Sequence, residues 1–178
     1  MGHFLEMIRR ASPALVLYAA LSGLASGALA DDLAELKAGD MRKLVVAAAP
    51  VPRGELAFTD AAGADMTLAT SNGKIRIVNY CATWCAPCRH EKPALDALQA
   101  ELGGADFEII AIATGRNTLK GIKKFNAEVG IENLTTYLDP RSTAARQAGV
   151  LGLPVSIVLD RNGNEIARLT GGAEWMSE

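Results

Sequence analysis

Three cysteines fall close together, Cys81, Cys85 and Cys88, and the last two enclose Ala86 and Pro87 in a Cys-x-x-Cys arrangement. Clustered thiols make a poor structural framework, because a bridge between near neighbours closes almost no loop of the unfolded chain. Their spacing suits chemistry instead. Strand-like residues precede Cys85, and a helical pattern begins at Pro87, a residue type suited to a helix's first turn. A cysteine at such a junction meets unpaired backbone N–H groups and the positive end of the helix dipole, which stabilise its thiolate. The thiolate is the nucleophile of disulfide exchange. Cys85 is therefore the candidate attacking cysteine. Cys88, one turn into the helix, can approach it, close a short disulfide and resolve a mixed one. Arg89 and His90 add charge nearby, and Pro93, which has no N–H, should kink the helix and free the carbonyl of Arg89.

Other uses of the pair fit less well. A zinc site wants four ligands, and after the first thirty residues there is neither a second cysteine pair nor a paired histidine. Covalent haem attachment needs histidine directly after the second cysteine, where Arg89 stands. Two inert thiols would not need a helix start. A peroxidase would need a peroxide pocket around its attacking cysteine and not this close pair. A nucleic-acid binder would carry a basic stripe, whereas the net charge is -2 with 21% charged residues.

The elements that must hold the pair follow from hydrophobic patterning. Residues 75–80 (IRIVNY) read as a central strand. Residues 87–102 are helical, with Leu95, Leu98 and Leu102 as the apolar stripe, and 107–113 (FEIIAIA) a strand. A second helix covers 119–129, a short extended piece 136–138 and a short helix 142–148. Two strands, 155–159 and 165–169, flank the hairpin turn Asp160-Arg161-Asn162-Gly163-Asn164. Upstream, residues 56–58 and 66–68 form a β-hairpin around a turn-rich stretch. The sum is an α/β sandwich with a central mixed β-sheet.

At the start, Arg9 and Arg10 precede an apolar run that ends at Ala28-Leu29-Ala30, so residues 1–30 read as a signal peptide cleaved near Ala30 or as a membrane anchor spanning 11–30. Either places the domain outside the cytoplasm, where disulfide chemistry persists. Residues 31–46 read as a short helix and 47–54 (AAAPVPRG) as a linker or extended lead-in, which leaves 55–178 as the main domain. At 178 the chain stops where a further helix would begin.

Residues 78–95 (VNYCATWCAPCRHEKPAL) resemble the TlpA/ResA/CcmG-like branch of the thioredoxin superfamily. Gly152-Leu153-Pro154-Val155-Ser156 is similar to that family's cis-proline loop, and Gly172-Ala173-Glu174-Trp175 to TlpA-type endings. The resemblance covers about residues 40–178. It implies a thioredoxin-like three-layer fold with an N-terminal β-hairpin extension, lacking its C-terminal helix. It further implies catalytic Cys85 and Cys88 with Glu91 as a proton carrier, and a substrate-binding surface of Trp84, Ala86, Pro87, Leu153 and cis Pro154. No cofactor or metal is expected beyond the redox-active Cys85–Cys88 disulfide. The implied role is a monomeric periplasmic reductant of client proteins with cysteine pairs, of the cytochrome c or copper-oxidase maturation type. Its electrons would come from a membrane thiol relay of the DsbD/CcdA kind. The alternatives are a periplasmic oxidant or isomerase and a redox-silent binding module. Two residues depart from the common thioredoxin pattern or the branch's own. Asn79 replaces the buried aspartate of ordinary thioredoxin, and Cys81 stands where the branch has a large aromatic, as a small buried residue or a third redox thiol.

Overall fold

The computed structural model describes residues 39–176, and within them eight strands and three helices alternate. In chain order these are β1 (Val45–Pro52), β2 (Ala57–Asp60), β3 (Asp65–Thr67), β4 (Ile75–Cys81), α1 (Ala86–Leu102), β5 (Phe107–Thr114), α2 (Leu119–Val129), β6 (Thr136–Asp139), α3 (Thr143–Gln147), β7 (Val155–Leu159) and β8 (Asn164–Thr170). They build one mixed sheet of order β1-β8-β7-β4-β5-β6-β2-β3, in which β4, β5 and β6 run parallel and all other neighbours antiparallel. This is the expected mixed-sheet α/β, thioredoxin-like fold, with the N-terminal hairpin β2–β3 joined to the β6 edge through Thr59 and Asp60.

Side-chain alternation divides the sheet into two packed faces. Val78 and Tyr80 of β4, with Ile110 and Ile112 of β5, face Ala144 and Ala145 of α3. Ile77, Ile109 and Ala111 face the other way, onto Leu95 of α1. By the same alternation Asn79 and Cys81 share the α1 face, so the register of β4 decides which residues lie under the cysteine pair. Leu98 packs on this cluster too, but Leu102, expected in the apolar stripe, is 52% exposed at the end of α1.

The segment upstream of the hairpin differs from the sequence expectation. Residues 1–38, which include the expected leader and the first part of the short helix, lie outside the described residues. Gly39–Lys43 is a 3-10 turn, and the expected linker is strand β1, antiparallel to β8 at the sheet edge. Pro50 and Pro52 lack a ladder donor, a deficit tolerated at an edge, and pairing is interrupted between Val46 and Val51. Beyond the strand Arg53 fixes the edge, its Nε donating to Glu165 Oε2 at 2.8 Å, while Arg168 grips the same carboxylate. No helix among the described residues is long and apolar enough to cross a membrane.

Candidate active site

Cys85 is the N-cap of α1, and its neighbour Ala86 opens the helix with Pro87 behind it in the first turn. The backbone N–H of Cys88 donates to Cys85 Sγ at 3.3 Å, so an orphan donor of the helix start is spent on the sulfur. Cys85 and Cys88 form a disulfide with a Cα–Cα separation of 5.2 Å. Cys88 is fully buried and Cys85 is 6% exposed, an asymmetry that leaves Cys85 as the sulfur nearer to solvent. Leu153 packs on the buried cluster of Cys81, Ala82, Cys85 and Cys88, and the peptide bond between Leu153 and the buried Pro154 is cis, as expected. Trp84 is 68% exposed, and Ala86 and Pro87 are exposed beside it. The turn leading into Cys85 is pinned from the β5–α2 connection. Asn117 Oδ1 accepts from the backbone N–H and the hydroxyl of Thr83, while Asn117 Nδ2 donates to the carbonyl of Thr114.

The inner face of α1 holds Cys88, Glu91, Lys92, Leu95 and Asp96, a stripe at helical spacing in which three of the five are ionisable. Glu91 is 1% exposed, which excludes a solvated helix carboxylate. Asn79 Nδ2 donates to its Oε1 at 2.8 Å and to Ser156 Oγ at 3.0 Å. The other oxygen accepts from the backbone N–H of Ala173 at 3.2 Å and from Trp175 Nε1 at 3.4 Å. Burial pushes the Glu91 carboxyl above the usual carboxylate range, against the opposing pull of these donors and of Lys92. Burial likewise holds the Lys92 ammonium below its ordinary value. Asp96 goes the other way. Burial alone would raise it, but donors from Asn133, Glu132 and Leu134 leave it lowered.

Cys81 lies in the same buried cluster as the pair and is not bridged. Burial pushes its thiol up to about 11, with Glu91 adding to the rise and Lys92 opposing it. A thiol so shifted is almost wholly protonated near neutral pH and is a poor nucleophile. Among the described residues no group of three or more histidines, cysteines or acids is placed to hold a metal ion.

The expected residues Trp84, Cys85, Cys88, Leu153 and Pro154 are thus brought to one end of the sheet, with Glu91 beneath the surface on the same helix. The structure adds Asn117, Lys92, Asp96 and the hydroxyl of Ser156 to the site. Lys92 and Asp96 carry a sequence signal, since both sit at helical spacing from Cys88 and Leu95, and Ser156 stands in the cis-proline loop motif, whereas Asn117 carries none.

The AhpC/TSA family profile matches residues 47–166. Thiol:disulfide interchange protein HelX of Rhodobacter capsulatus is 34% identical over 117 residues, 66% of this chain and 60% of that protein. Thiol-disulfide oxidoreductase ResA of Geobacillus thermodenitrificans is 27% identical over 66% of each chain. Thiol:disulfide interchange protein CycY of Rhizobium leguminosarum bv. viciae is 31% identical over 60% of this chain and 55% of its own. The chain therefore spans between 55% and 66% of the length of these relatives. Among solved structures, a thiol:disulfide interchange protein of the thioredoxin family from Chlorobium tepidum TLS matches with a TM-score of 0.59 and 28% identity, over 71% of this chain and 90% of that one. A secreted thiol-disulfide isomerase from Corynebacterium glutamicum shares the fold, with a TM-score of 0.64 at 20% identity over 78% of this chain and 88% of its own. By the profile match and by these relatives, the chain belongs to the AhpC/TSA family, within the TlpA/ResA-like group of the thioredoxin superfamily.

Proposed function

We propose that the protein is a thiol–disulfide oxidoreductase that works outside the cytoplasm and reduces disulfides of client proteins through Cys85 and Cys88. One observation carries this: the bridged pair sits across the first turn of α1, with Cys85 as N-cap, beside a cis Leu153–Pro154 bond. In the reduced protein the Cys85 thiolate attacks one sulfur of a client disulfide. The client's S–S bond breaks, its other sulfur leaves as a thiolate and takes a proton, and a Cys85–client mixed disulfide forms. Cys88 then gives up its proton and attacks Cys85 Sγ. The second client thiolate departs, leaving a Cys85–Cys88 disulfide and a dithiol client, two electrons having passed to the client. Glu91, three residues past Cys88 on the same helix face and held above the usual carboxylate range by burial, is the group we assign to take up the resolving proton. Trp84, Ala86, Pro87, Leu153 and Pro154 form the surface against which an extended client segment lies.

The clients we favour are exported proteins with cysteine pairs, of the cytochrome c or copper-oxidase maturation type. A membrane thiol relay of the DsbD/CcdA kind would return the pair to its dithiol form. The protein would act as a monomer in the periplasm, freed by cleavage near Ala30 or tethered by residues 11–30, and it would use no cofactor beyond its own disulfide. The deciding measurement is the reduction potential of the Cys85–Cys88 couple, together with trapping of mixed disulfides by Cys88→Ala. A potential near about -270 mV fits a reductant, while one near about -120 mV would make the protein an oxidant. Absence of any trapped client would argue for a redox-silent binding module.

A further inference from the structure

A cleft of about 330 Å³ opens between Trp84, the residue before Cys85, and the segment 150–153. Leu153 is shared. It lines the cleft and also packs on the buried cluster of Cys81, Ala82, Cys85 and Cys88, so one side chain links the cleft to the cluster that holds the cysteine pair. The mouth is left apolar by Trp84 and by Leu151, whose side chain is fully exposed at 100%. Across Leu151, Gly152 and Leu153 no backbone N–H or C=O is hydrogen-bonded within the described residues. A stretch of open backbone donors and acceptors beside an apolar cleft is what an extended peptide can pair with, strand fashion, while a side chain fills the hole.

One charged side chain lines the cleft, that of Arg146, and no Asp or Glu lines it. The Arg146 guanidinium pairs with no carboxylate among the described residues, although its Nη1 donates to the carbonyl of Arg141 at 2.6 Å. Asp139, the acid nearest to it in sequence, is buried and occupied, accepting from the backbone N–H groups of Thr143 and Ala145 at the start of α3. A cleft lined by a cation without a counter-charge, on a chain of net charge -2, is a local feature and not a consequence of bulk composition.

We propose that this cleft selects clients, taking a leucine- or phenylalanine-sized side chain adjacent to the target cysteine in an extended segment that also carries an acidic residue facing Arg146. It rests on the exchange chemistry proposed above. The test uses the reduced protein and cysteine peptides capped with thionitrobenzoate, whose release is read by absorbance. Peptides carry Leu or Gly beside the cysteine and Asp or Lys beyond it. Each rate is divided by that of thionitrobenzoate-capped mercaptoethanol, a reagent too small to engage the cleft. The Leu/Asp peptide should outpace the Gly/Lys peptide by about tenfold or more, the low end of discrimination by a hydrophobic pocket. The Asp-over-Lys part should shrink as salt is added. Leu151→Ser should remove the preference for Leu and Arg146→Glu the preference for Asp. Both are exposed positions, so the fold should tolerate them. Peptide rates within about twofold of one another, or a preference that both variants keep, would overturn the selective cleft while leaving the exchange chemistry standing. No release even from the mercaptoethanol reagent would overturn both.

Discussion

Glu91 combines burial with four close neighbours: Asn79, Ala173, Trp175 and Lys92. Its carboxyl is raised above the ordinary 4.5, with burial as the largest cause. A group raised in the folded state adds stability that is complete below its unfolded value and lost as pH rises through the folded one. The native protein should therefore lose stability from this residue as pH climbs above 4.5. Glu91→Gln, which cannot ionise, should be more favourable relative to the native chain at pH 7 than at pH 4. Denaturation midpoints at the two pH values check the sign, and a difference running the other way would show that the hydrogen-bond donors outweigh burial. Cys81 shows the same physics: desolvation raises its thiol to about 11, so a third sulfur in the cluster of the bridged pair is almost wholly protonated near neutral pH.

At the scale of elements, α1 does two jobs with one face. Its start presents Cys85, and nearly two turns later Glu91 and Lys92 are buried on its inner face. About one turn further on, Asp96 reaches out to the loop after α2, accepting from the backbone N–H groups of Glu132, Asn133 and Leu134 and from Asn133 Nδ2. That loop leads into β6, so Asp96 ties α1 to the parallel part of the sheet. Asp96→Ala should cost about 2–3 kcal/mol, because it strands backbone donors that are part-buried or buried. Urea denaturation measures this, and a loss below about 0.5 kcal/mol would show that water replaces the carboxylate. A second tie joins the helices themselves, where Arg89 pairs with Glu128 at 2.8 Å and lies over the Phe125 ring at 4.8 Å.

Across the molecule, stability should be graded from the centre of the sheet outward. β4 has neighbours on both sides and both faces covered, whereas β1 is an edge whose pairing to β8 lapses between Val46 and Val51. Native-state hydrogen exchange should find the amides of Val78, Ile112 and Ile157 slowest and those of Ala47, Ala48 and Ala49 fastest. Equal protection at the two places would mean that β1 opens only with the whole sheet. The gradient matters for the site, since the pinned turn at Thr83, the helix start and the cis-proline loop all hang from the central strands.

The amino-acid sequence alone determined the local events. Cys85-Ala86-Pro87-Cys88 at a strand-to-helix junction, the hairpin turn at Asp160–Asn164 and the bounds of Leu119–Val129 and Val155–Leu159 are written in short-range patterns, because turn chemistry, helix starts and side-chain periodicity act within a few residues. What only the tertiary structure decided is long-range. That Glu91 is buried depends on Trp175 and Ala173, more than eighty residues away, folding back onto α1. That residues 45–52 form a strand depends on β8 and on Glu165 meeting Arg53, since two prolines in an alanine-rich stretch read locally as a linker. The cleft beside Trp84 depends on four separate connections meeting at one end of the sheet, those holding Trp84, Gly115, Ser142 and Leu151. Pairing and burial between distant segments are set by the packing of the whole chain, and no window of sequence contains both partners.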